Sequence, residues 1–428
     1  MQQVATEALD IWLKGWSTEA PTTYQRSDEL AFQRWFRFKE AFSPILVRDI
    51  IKGMSTPPRN LVDCCAGSGT TGVVAQFSGI PCVLVEVNPF LVDLITAKTT
   101  KYDNINFAKE LASFDIACSK TKVVLHDFCK RLPPTFVEPG IKGHWLFNKD
   151  IATELERIRL SILQVSNDKL RRFYLVALAN ILIHFSNVRI DGKGRRYRQG
   201  WEKRSINSTD VYPQFKNSIY SMIRDIYAHD ESKLSECSVI HGDSREVIGY
   251  LDEATDLFLF SPPYPNSFDY TDIYNIELWF FEYFKTAEDN ITQRKKTMRS
   301  HVQVRWNEPS YNIKSPSLKK TVKRLSEVRE KLWDKRIPEM VQAYFEDMDI
   351  LLSKMFDKLS PLGSIAIVVG DSSYMDIWIE SAKIIIEIAE HKGLKVRKKK
   401  SERVMRASAQ HSKKEKFLNE WLLIFEKS

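Results

Sequence analysis

The chain has 428 residues, and with 43% of them hydrophobic it can bury a large core divided between two or three lobes. Its formal charge of +8, from 63 basic and 55 acidic residues, favours an acidic partner without identifying one. The six cysteines form no CxxC pair, which argues against a secreted disulfide scaffold and a structural zinc site, so we expect a reducing cytoplasmic location and no bound metal.

Residues 1–60 are predicted to form an N-terminal helical segment, which includes the aromatic-rich residues 32–38 and the apolar residues 44–51. The aromatic cluster is expected to pack in the core. The first residues lack the basic start and apolar centre of a signal peptide, and no apolar run in the chain approaches the roughly 20 residues that span a bilayer. We therefore expect a soluble, unprocessed protein with no membrane partner.

A strand, a glycine-rich turn and a helix are predicted from residue 61 onward. Gly67, Gly69 and Gly72 have G-x-G-x-x-G spacing. Such glycines permit positive φ angles and close approach of a ligand, while the new helix offers unpaired N–H groups. A phosphate-binding P-loop is disfavoured because Thr70 and Thr71 follow Gly69, so its lysine is absent. The turn therefore predicts a cofactor site.

Glu86 ends the next β-rich run, where a doubly wound sheet usually places a carboxylate for ribose hydroxyls. Strand and helix patterns of a sheet domain extend to about residue 100 and then stop. From 101 to 237 the pattern is mainly helical, with apolar residues at helical spacing in 151–165 and 170–185. This region is predicted to be an insertion within the sheet domain.

Within the insertion, residues 189–204 interleave cations, glycines and two aromatic residues. This composition suits a mobile loop that lies against phosphates, and Arg195, Arg196 and Arg198 are its candidate contacts. A solvated basic loop is the alternative interpretation. The basic clusters at 294–296, 319–324 and 398–400 fit surface solvation at least as well.

Sheet patterns resume at residue 238 and continue through 256–260, 363–369, 393–400 and 420–425. Ser261, Pro262, Pro263 and Tyr264 directly follow the apolar run 257–260, so a buried strand ends in a rigid turn. The prolines fix φ and remove two backbone donors, which leaves carbonyl groups facing outward as acceptors for an amino group. Tyr264 is placed to stack on the ring that carries this group. An ordinary Pro-rich turn is the alternative.

These separated motifs, in this order, resemble those of the S-adenosylmethionine-dependent DNA amino-methyltransferases, which modify cytosine N4 or adenine N6. The resemblance covers the core of the chain and hardly any of the insertion. It implies S-adenosylmethionine as cofactor, with Glu86 at its ribose and Asp243 at its adenine amino group. The implied cofactor-binding residues are Phe42, Ser43, Pro44, Asp63, Ala66, Gly67, Ser68, Gly69, Thr70, Thr71, Glu86 and Asp243.

The implied fold is α/β: a doubly wound, mostly parallel sheet of the Rossmann-like class I methyltransferase type. A terminal antiparallel hairpin and a largely helical inserted recognition region complete it. The expected domains are the N-terminal helical segment with the cofactor-covering motif at 1–60, the first half of the catalytic domain at 61–100, the DNA target-recognition insertion at 101–237 and the second half at 238–428. The polar residues 287–336 are predicted to form either a DNA-facing element or a helical excursion.

The resemblance assigns catalysis to Ser261, Pro262, Pro263 and Tyr264. An exocyclic amine is conjugated with its ring and weakly nucleophilic. Ser261 Oγ and the Pro262 carbonyl are therefore expected to accept its N–H hydrogens while the nitrogen attacks the sulfonium methyl group. Because a stacked base cannot reach such a pocket, we expect the base to be flipped out and stacked on Tyr264.

Phe268 and Tyr270 are the candidate residues that line the base pocket. Asp269 and Asp272 are not assigned as a general base, since acids near a helix start are commonly caps. Ser261 stands where many relatives have Asp or Asn, which favours cytosine N4 over adenine N6. Cys64 and Cys65 likewise stand where many relatives have a proline and an aromatic residue.

The implied partners are double-stranded DNA and a cognate restriction endonuclease, with the chain as the modification enzyme of the pair. An RNA or protein-amide methyltransferase would share the cofactor site. A nicotinamide-dependent oxidoreductase would use the glycines and Glu86 equally well but gives the tetrapeptide no role. A noncatalytic DNA-binding module is the remaining alternative.

Overall fold

The computed structural model describes residues 2–191, 194–306, 313–406 and 417–428, and these form a sheet covered on both faces by helices. The strands are β1 Leu61–Asp63, β2 Cys82–Glu86, β3 Val188–Asp191, β4 Gly194–Tyr197, β5 Cys237–His241, β6 Thr255–Phe260, β7 Leu359–Gly370, β8 Ser372–Tyr374, β9 Ile377–Ile379, β10 Leu394–Arg406 and β11 Phe417–Lys427.

Strands and helices alternate from β1 to α4, and longer runs of helices lie between β2 and β3 and between β6 and β7. The helices are α1 Gln2–Trp12, α2 Pro44–Lys52, α3 Thr70–Phe77, α4 Pro89–Thr99, α5 Phe107–Lys120, α6 Leu125–Arg131, α7 Lys149–Leu163, α8 Asp168–Phe185, α9 Val211–Tyr227, α10 Ser244–Val247, α11 Tyr270–Ile273, α12 Asn275–Phe280, α13 Ala287–Lys296, α14 Pro316–Glu327, α15 Ile337–Lys358 and α16 Ser381–His391.

The main sheet contains seven of the strands in the described ranges, in the order β5-β2-β1-β6-β7-β11-β10. The five strands from β5 to β7 run parallel, whereas β11 is antiparallel to both of its neighbours. This is the Rossmann-like methyltransferase fold with a terminal antiparallel hairpin, and it confirms the predicted fold class. Strands β2 and β6 pair with β1 on opposite sides, so the order of the strands reverses at β1. Ligands bind at such a switch point, beside the carboxyl ends of the strands.

Strand β6 shows why this sheet is buried on both faces. Successive side chains of a strand point to opposite faces. Leu257 and Leu259 accordingly join one hydrophobic core, while Phe258 and Phe260 join the other. Helices α1–α9 and α12 contribute to the first core, and α14–α16 to the second. A strand covered on both faces is apolar at every position, as in residues 257–260.

The insertion at 101–237 packs onto the sheet without a hydrophobic core of its own. Its helices α5–α9 place their apolar residues in the same core as α3 and α4. The described residues therefore form two cores, one on each face of the main sheet, where the composition predicted separate lobes.

Three segments differ from the prediction or refine it. Residues 32–38 are not a helix but a 3₁₀ turn at Gln33–Trp35 followed by extended backbone, which buries Trp35 completely. Residues 189–204 contain the hairpin of β3 and β4 instead of a loop, although Gly192 and Lys193 lie outside the described residues. Residues 287–336 contain α13 and α14, which makes them a helical excursion, with 307–312 outside the described residues.

Candidate active site

A cavity of about 1050 Å³ opens at the carboxyl ends of the central parallel strands. It brings together motifs that lie about 200 residues apart in the chain, because both strand ends meet at the switch point of the sheet. The predicted residues that line it are Phe42, Ala66, Gly67, Ser68, Thr70, Glu86, Asp243, Ser261, Pro262, Pro263, Tyr264, Phe268 and Tyr270.

The other predicted residues lie behind or beside the cavity wall. Ser43 accepts a hydrogen bond from the Ile45 N–H and caps α2, in which Pro44 is the first residue. Asp63 binds the turn from its own strand end, Gly69 is the N-cap of α3 and Thr71 is buried in the first turn of α3. Arg195 and Arg196 belong to β4, and Arg198 directly follows it.

The glycine-rich turn follows β1, and its backbone adopts a conformation that glycine favours. Gly67 has φ +54°, and a Cβ atom there would lie 3.1 Å from the ring of Phe38. Its N–H donates to Glu86 Oε2 at 2.8 Å. The turn thereby presents backbone to the cavity while its shape is held by the neighbouring strand.

Glu86 ends β2 and is only 8% exposed. Its carboxylate also accepts from the Asn88 N–H at 2.9 Å. Burial raises the pKa of Glu86 to about 7, against the lowering effect of the hydrogen bonds from Asn88 and Gly67. The group therefore changes its protonation state near neutral pH.

Asp63 ends β1 and lies completely inside the turn. Its carboxylate accepts from the Cys65 N–H at 2.9 Å, and burial raises the pKa of Asp63 to about 6. This arrangement fits an anchor for the loop backbone, since Asp63 is not among the residues that line the cavity.

Asp243 follows β5 and is held by an arginine that the sequence did not single out. Its carboxylate caps α10 by accepting from the Arg245 N–H at 2.9 Å and also binds the Arg245 guanidinium through Nε and Nη2 at 3.0 and 2.5 Å. Arg245 in turn pairs with the fully buried Asp347 on α15 at 2.8 Å. Asp243 is thus oriented from behind, with the cavity in front of it.

The tetrapeptide begins where β6 ends. Ser261 Oγ donates to the Val368 carbonyl of the adjacent strand β7 at 3.0 Å. Its hydrogen is therefore engaged, and the oxygen is left to act as an acceptor. Tyr264 lines the cavity and donates its hydroxyl hydrogen to Glu420 Oε1 at 2.6 Å.

Two aromatic side chains follow the tetrapeptide and meet at the cavity. The rings of Phe268 and Tyr270 pack edge to face with centroids 4.6 Å apart. Between them, Asp269 caps α11 by accepting from the Thr271 N–H at 3.0 Å, and it pairs with Arg294 Nε at 2.5 Å. Asp269 is thus a cap with a charged partner, as its position before a helix indicates.

The β3–β4 hairpin reaches this segment through Arg195, whose Nη2 donates to Asp272 Oδ1 at 3.2 Å. Arg198 instead donates to the carbonyls of Ser186 and Ile183, which holds the hairpin on the end of α8. Arg196 is exposed. The three arginines predicted to contact phosphates therefore have different surroundings, and Arg196 is the one that faces solvent.

Several residues of the cavity were not predicted. His301 is only 2% exposed, and burial lowers its pKa. Glu40 accepts from the Tyr274 hydroxyl at 2.6 Å, and burial raises the pKa of Glu40. Glu40 lies two residues before Phe42, which was a weak indication, whereas His301 lies in a polar stretch without any motif.

The chain matches no protein-family model. The Type II methyltransferase M.AvaI from Nostoc sp. is 25% identical over 408 residues, which cover 88% of this chain and 82% of that protein. M.BsoBI from Geobacillus stearothermophilus is 22% identical over 423 residues, covering 87% and 80%. M.MvaI from Kocuria varians is 24% identical over 218 residues, covering 49% and 47%. This chain is similar to Type II methyltransferases.

One solved structure, the rRNA methyltransferase aviRa from Streptomyces viridochromogenes, covers 90% of this chain and 84% of its own with a TM-score of 0.27 and 11% identity. Among the described residues, no three His, Cys, Asp or Glu side chains are grouped so as to hold a metal ion. No helix in the same ranges has the length and apolar character needed to cross a membrane.

Proposed function

We propose that this protein is a site-specific DNA methyltransferase that transfers the methyl group of S-adenosylmethionine to the exocyclic N4 amino group of cytosine in double-stranded DNA. The observation that carries the proposal is the shared cavity, which the glycine-rich turn lines on one side and the tetrapeptide Ser261–Tyr264 on the other. The similarity to Type II methyltransferases over most of the chain supports it.

The residues of the first half of the cavity suit S-adenosylmethionine. Ser68 Oγ is buried without a hydrogen-bond partner next to Gly67, and both residues line the cavity. Glu86 offers carboxylate oxygens for the two ribose hydroxyls, and Asp243 offers an acceptor for an adenine amino group. When bound, the cofactor supplies an electrophilic methyl group on a sulfonium centre.

The tetrapeptide suits an aromatic amine as the other substrate. Ser261 Oγ, which donates its own hydrogen to Val368, accepts one N–H of the amine, and the Pro262 carbonyl accepts the other. By accepting both N–H hydrogens, these oxygens would reduce the conjugation of the nitrogen lone pair with the ring and make the nitrogen a better nucleophile. Bound S-adenosylmethionine would supply the methyl group, and the nitrogen would release one N–H proton on becoming the methylated amine. The main contribution of these residues would be to hold the amine in place for this transfer.

Tyr264, Phe268 and Tyr270 give the second half of the cavity aromatic surfaces for the base. A base inside a duplex cannot reach this depth, so we propose that it is flipped out of the helix and stacks on Tyr264. The β3–β4 hairpin is anchored beside these aromatic residues through Arg195, which supports a contact between this hairpin and the DNA backbone.

The choice of cytosine N4 rests on Ser261, and adenine N6 is the second candidate for the same site. The similarity to Type II methyltransferases also supports a role as the modification enzyme of a restriction-modification pair. The spacing of the cysteines supports a cytoplasmic location. RNA or a protein amide would be an alternative substrate for the same cofactor site.

The test is to incubate the protein with methyl-labelled S-adenosylmethionine and mixed-sequence duplex DNA and to identify the modified nucleosides by mass spectrometry. We expect N4-methylcytosine. N6-methyladenine alone would overturn the choice of base, and the absence of label from DNA would overturn the substrate. Duplex RNA of the same sequence serves as the control, since labelling of RNA in preference to DNA would support the alternative.

A further inference from the structure

The ring of Tyr264 lies against the last residue of β7. A Cβ atom on Gly370 would lie 2.7 Å from Tyr264 Cε2 and 2.8 Å from Cδ2, closer than real Cβ atoms approach other atoms. Any larger residue at position 370 would therefore push the ring from its place. Gly370 forms the surface on which this ring rests.

The hydroxyl of the same ring is held by the next strand. Glu420 on β11 is paired in register with Gly370, and its Oε1 accepts the Tyr264 hydroxyl at 2.6 Å. Glu420 is 1% exposed, and a carboxylate so deeply buried is costly unless a cation pairs with it. The hydroxyl and one ring face of Tyr264 are thus both constrained by the terminal part of the sheet.

The cation that pairs with Glu420 lies on β10, the strand next to β11 in the sheet. Arg403 on β10 is the register partner of Glu420, and its Nε donates to Glu420 Oε2 at 2.7 Å. Its Nη2 lies 3.3 Å from Glu420 Oε1. One line of register across three strands, from Gly370 through Glu420 to Arg403, therefore holds Tyr264 from the side opposite the glycine-rich turn.

We propose that Glu420 is a positioning residue for methyl transfer, which acts through Tyr264. Supported by Arg403, its carboxylate fixes the ring over Gly370 in the orientation that stacks on the flipped base. The inference rests on the proposed function. It also gives the terminal hairpin of β10 and β11 a role in catalysis, whereas the sequence motifs assign the reaction to Ser261–Tyr264 alone.

The test compares Tyr264→Phe, Glu420→Ala, Glu420→Gln and the double variant of Tyr264→Phe with Glu420→Ala. A hydrogen bond to a buried carboxylate contributes enough that its loss should lower kcat about tenfold in each of the first two variants. Because both remove the same bond, the double variant should be no slower than either. Glu420→Gln keeps an acceptor for the hydroxyl and should recover most of the rate.

The matched control is Glu426→Ala, which breaks the exposed pair of Glu426 with Arg397 on the same two strands and should leave kcat unchanged. Affinity for S-adenosylmethionine should stay within twofold in every variant. Tyr264→Phe removes a single oxygen atom and keeps the ring, so it tests the bond even where Glu420→Ala destabilises the fold.

Multiplying losses in the double variant, or equal losses of kcat in Glu420→Gln and Glu420→Ala, would overturn the inference and leave the proposed function in place. A wild-type protein that adds no label to DNA would instead overturn the proposed function, and the inference with it. The two failures are therefore distinguished by the wild-type measurement alone.

Discussion

Replacing Glu86 by Gln should remove the pH dependence that this buried carboxyl group at the end of β2 gives to the free energy of unfolding. The pKa of Glu86 is raised from the ordinary value of 4.5 to about 7 by burial. These values lie about 2.5 pH units apart, which at about 1.4 kcal/mol per unit corresponds to about 3.5 kcal/mol. A raised pKa means that the native state holds the proton more tightly than the unfolded chain.

The sign of the effect follows from this proton. Between pH 4.5 and about 7 the native state binds a proton that the unfolded state has lost. The stabilisation is therefore complete below pH 4.5 and is lost as the pH rises through about 7. In the Gln variant this contribution is absent at every pH. Its amide group has one acceptor oxygen for the N–H groups of Gly67 and Asn88, and the hydrogen bond that is lost lowers the free energy of unfolding by the same amount at every pH.

The measurement is urea-induced unfolding of both proteins, without cofactor, across this pH range. The free energy of unfolding of the wild type, minus that of Glu86→Gln, should fall by about 3.5 kcal/mol between a pH below 4.5 and a pH above about 7. Other titrating groups such as Asp63 contribute to both proteins and largely cancel in the difference. A difference that is flat with pH, or that rises, would refute the assignment of the raised pKa to burial of Glu86.

Three further changes test the proposed site. Tyr264→Ala should lower kcat about 10- to 100-fold through lost base stacking and leave cofactor affinity within twofold, while Tyr250→Ala, an exposed tyrosine before β6, should change neither. Equal losses of rate and cofactor affinity in Tyr264→Ala would contradict stacking. Arg196→Ala should lower the slope of log Kd for DNA against log salt concentration by about 1. An unchanged slope would exclude a phosphate contact. Arg245→Met should destabilise the protein by about 3 kcal/mol in urea unfolding, since it leaves Asp243 and Asp347 without a shared cation. A loss below about 1 kcal/mol would show that Arg299, which also pairs with Asp347, is sufficient.

Local patterns were sufficient to predict much of the fold and many of the residues that line the cavity. The apolar run 257–260 indicated a buried strand, and the structure shows that its side chains enter the cores on both faces of the sheet. The glycine spacing and the acid at 86 predicted two parts of a cofactor site. The structure places them side by side, with the Gly67 N–H bonded to Glu86. Such features depend on residues that are close together in the chain, so they can be predicted from a single sequence.

The errors came from segments in which local pattern and tertiary packing disagree. Residues 32–38 have the composition of a buried helix, but Trp35 reaches Asp225 across 190 residues, and its Nε1 donates there at 2.9 Å. The basic residues 189–204 suggested a mobile loop, whereas cross-strand pairing and the carbonyls at the end of α8 order them as a hairpin. Neither partner can be identified from the segment itself.

By itself, the sequence determined roughly where the strands of the main sheet lie along the chain, the turn that follows β1 and the chemical character of the tetrapeptide, because each depends on the spacing of adjacent residues. Only the tertiary structure decided what surrounds the tetrapeptide. Glu420 lies 156 residues from Tyr264, and Arg245 lies 102 residues from Asp347. Sheet register and helix packing bring these pairs of residues together. The low dielectric constant of the interior makes a buried carboxylate destabilising unless its partner is present.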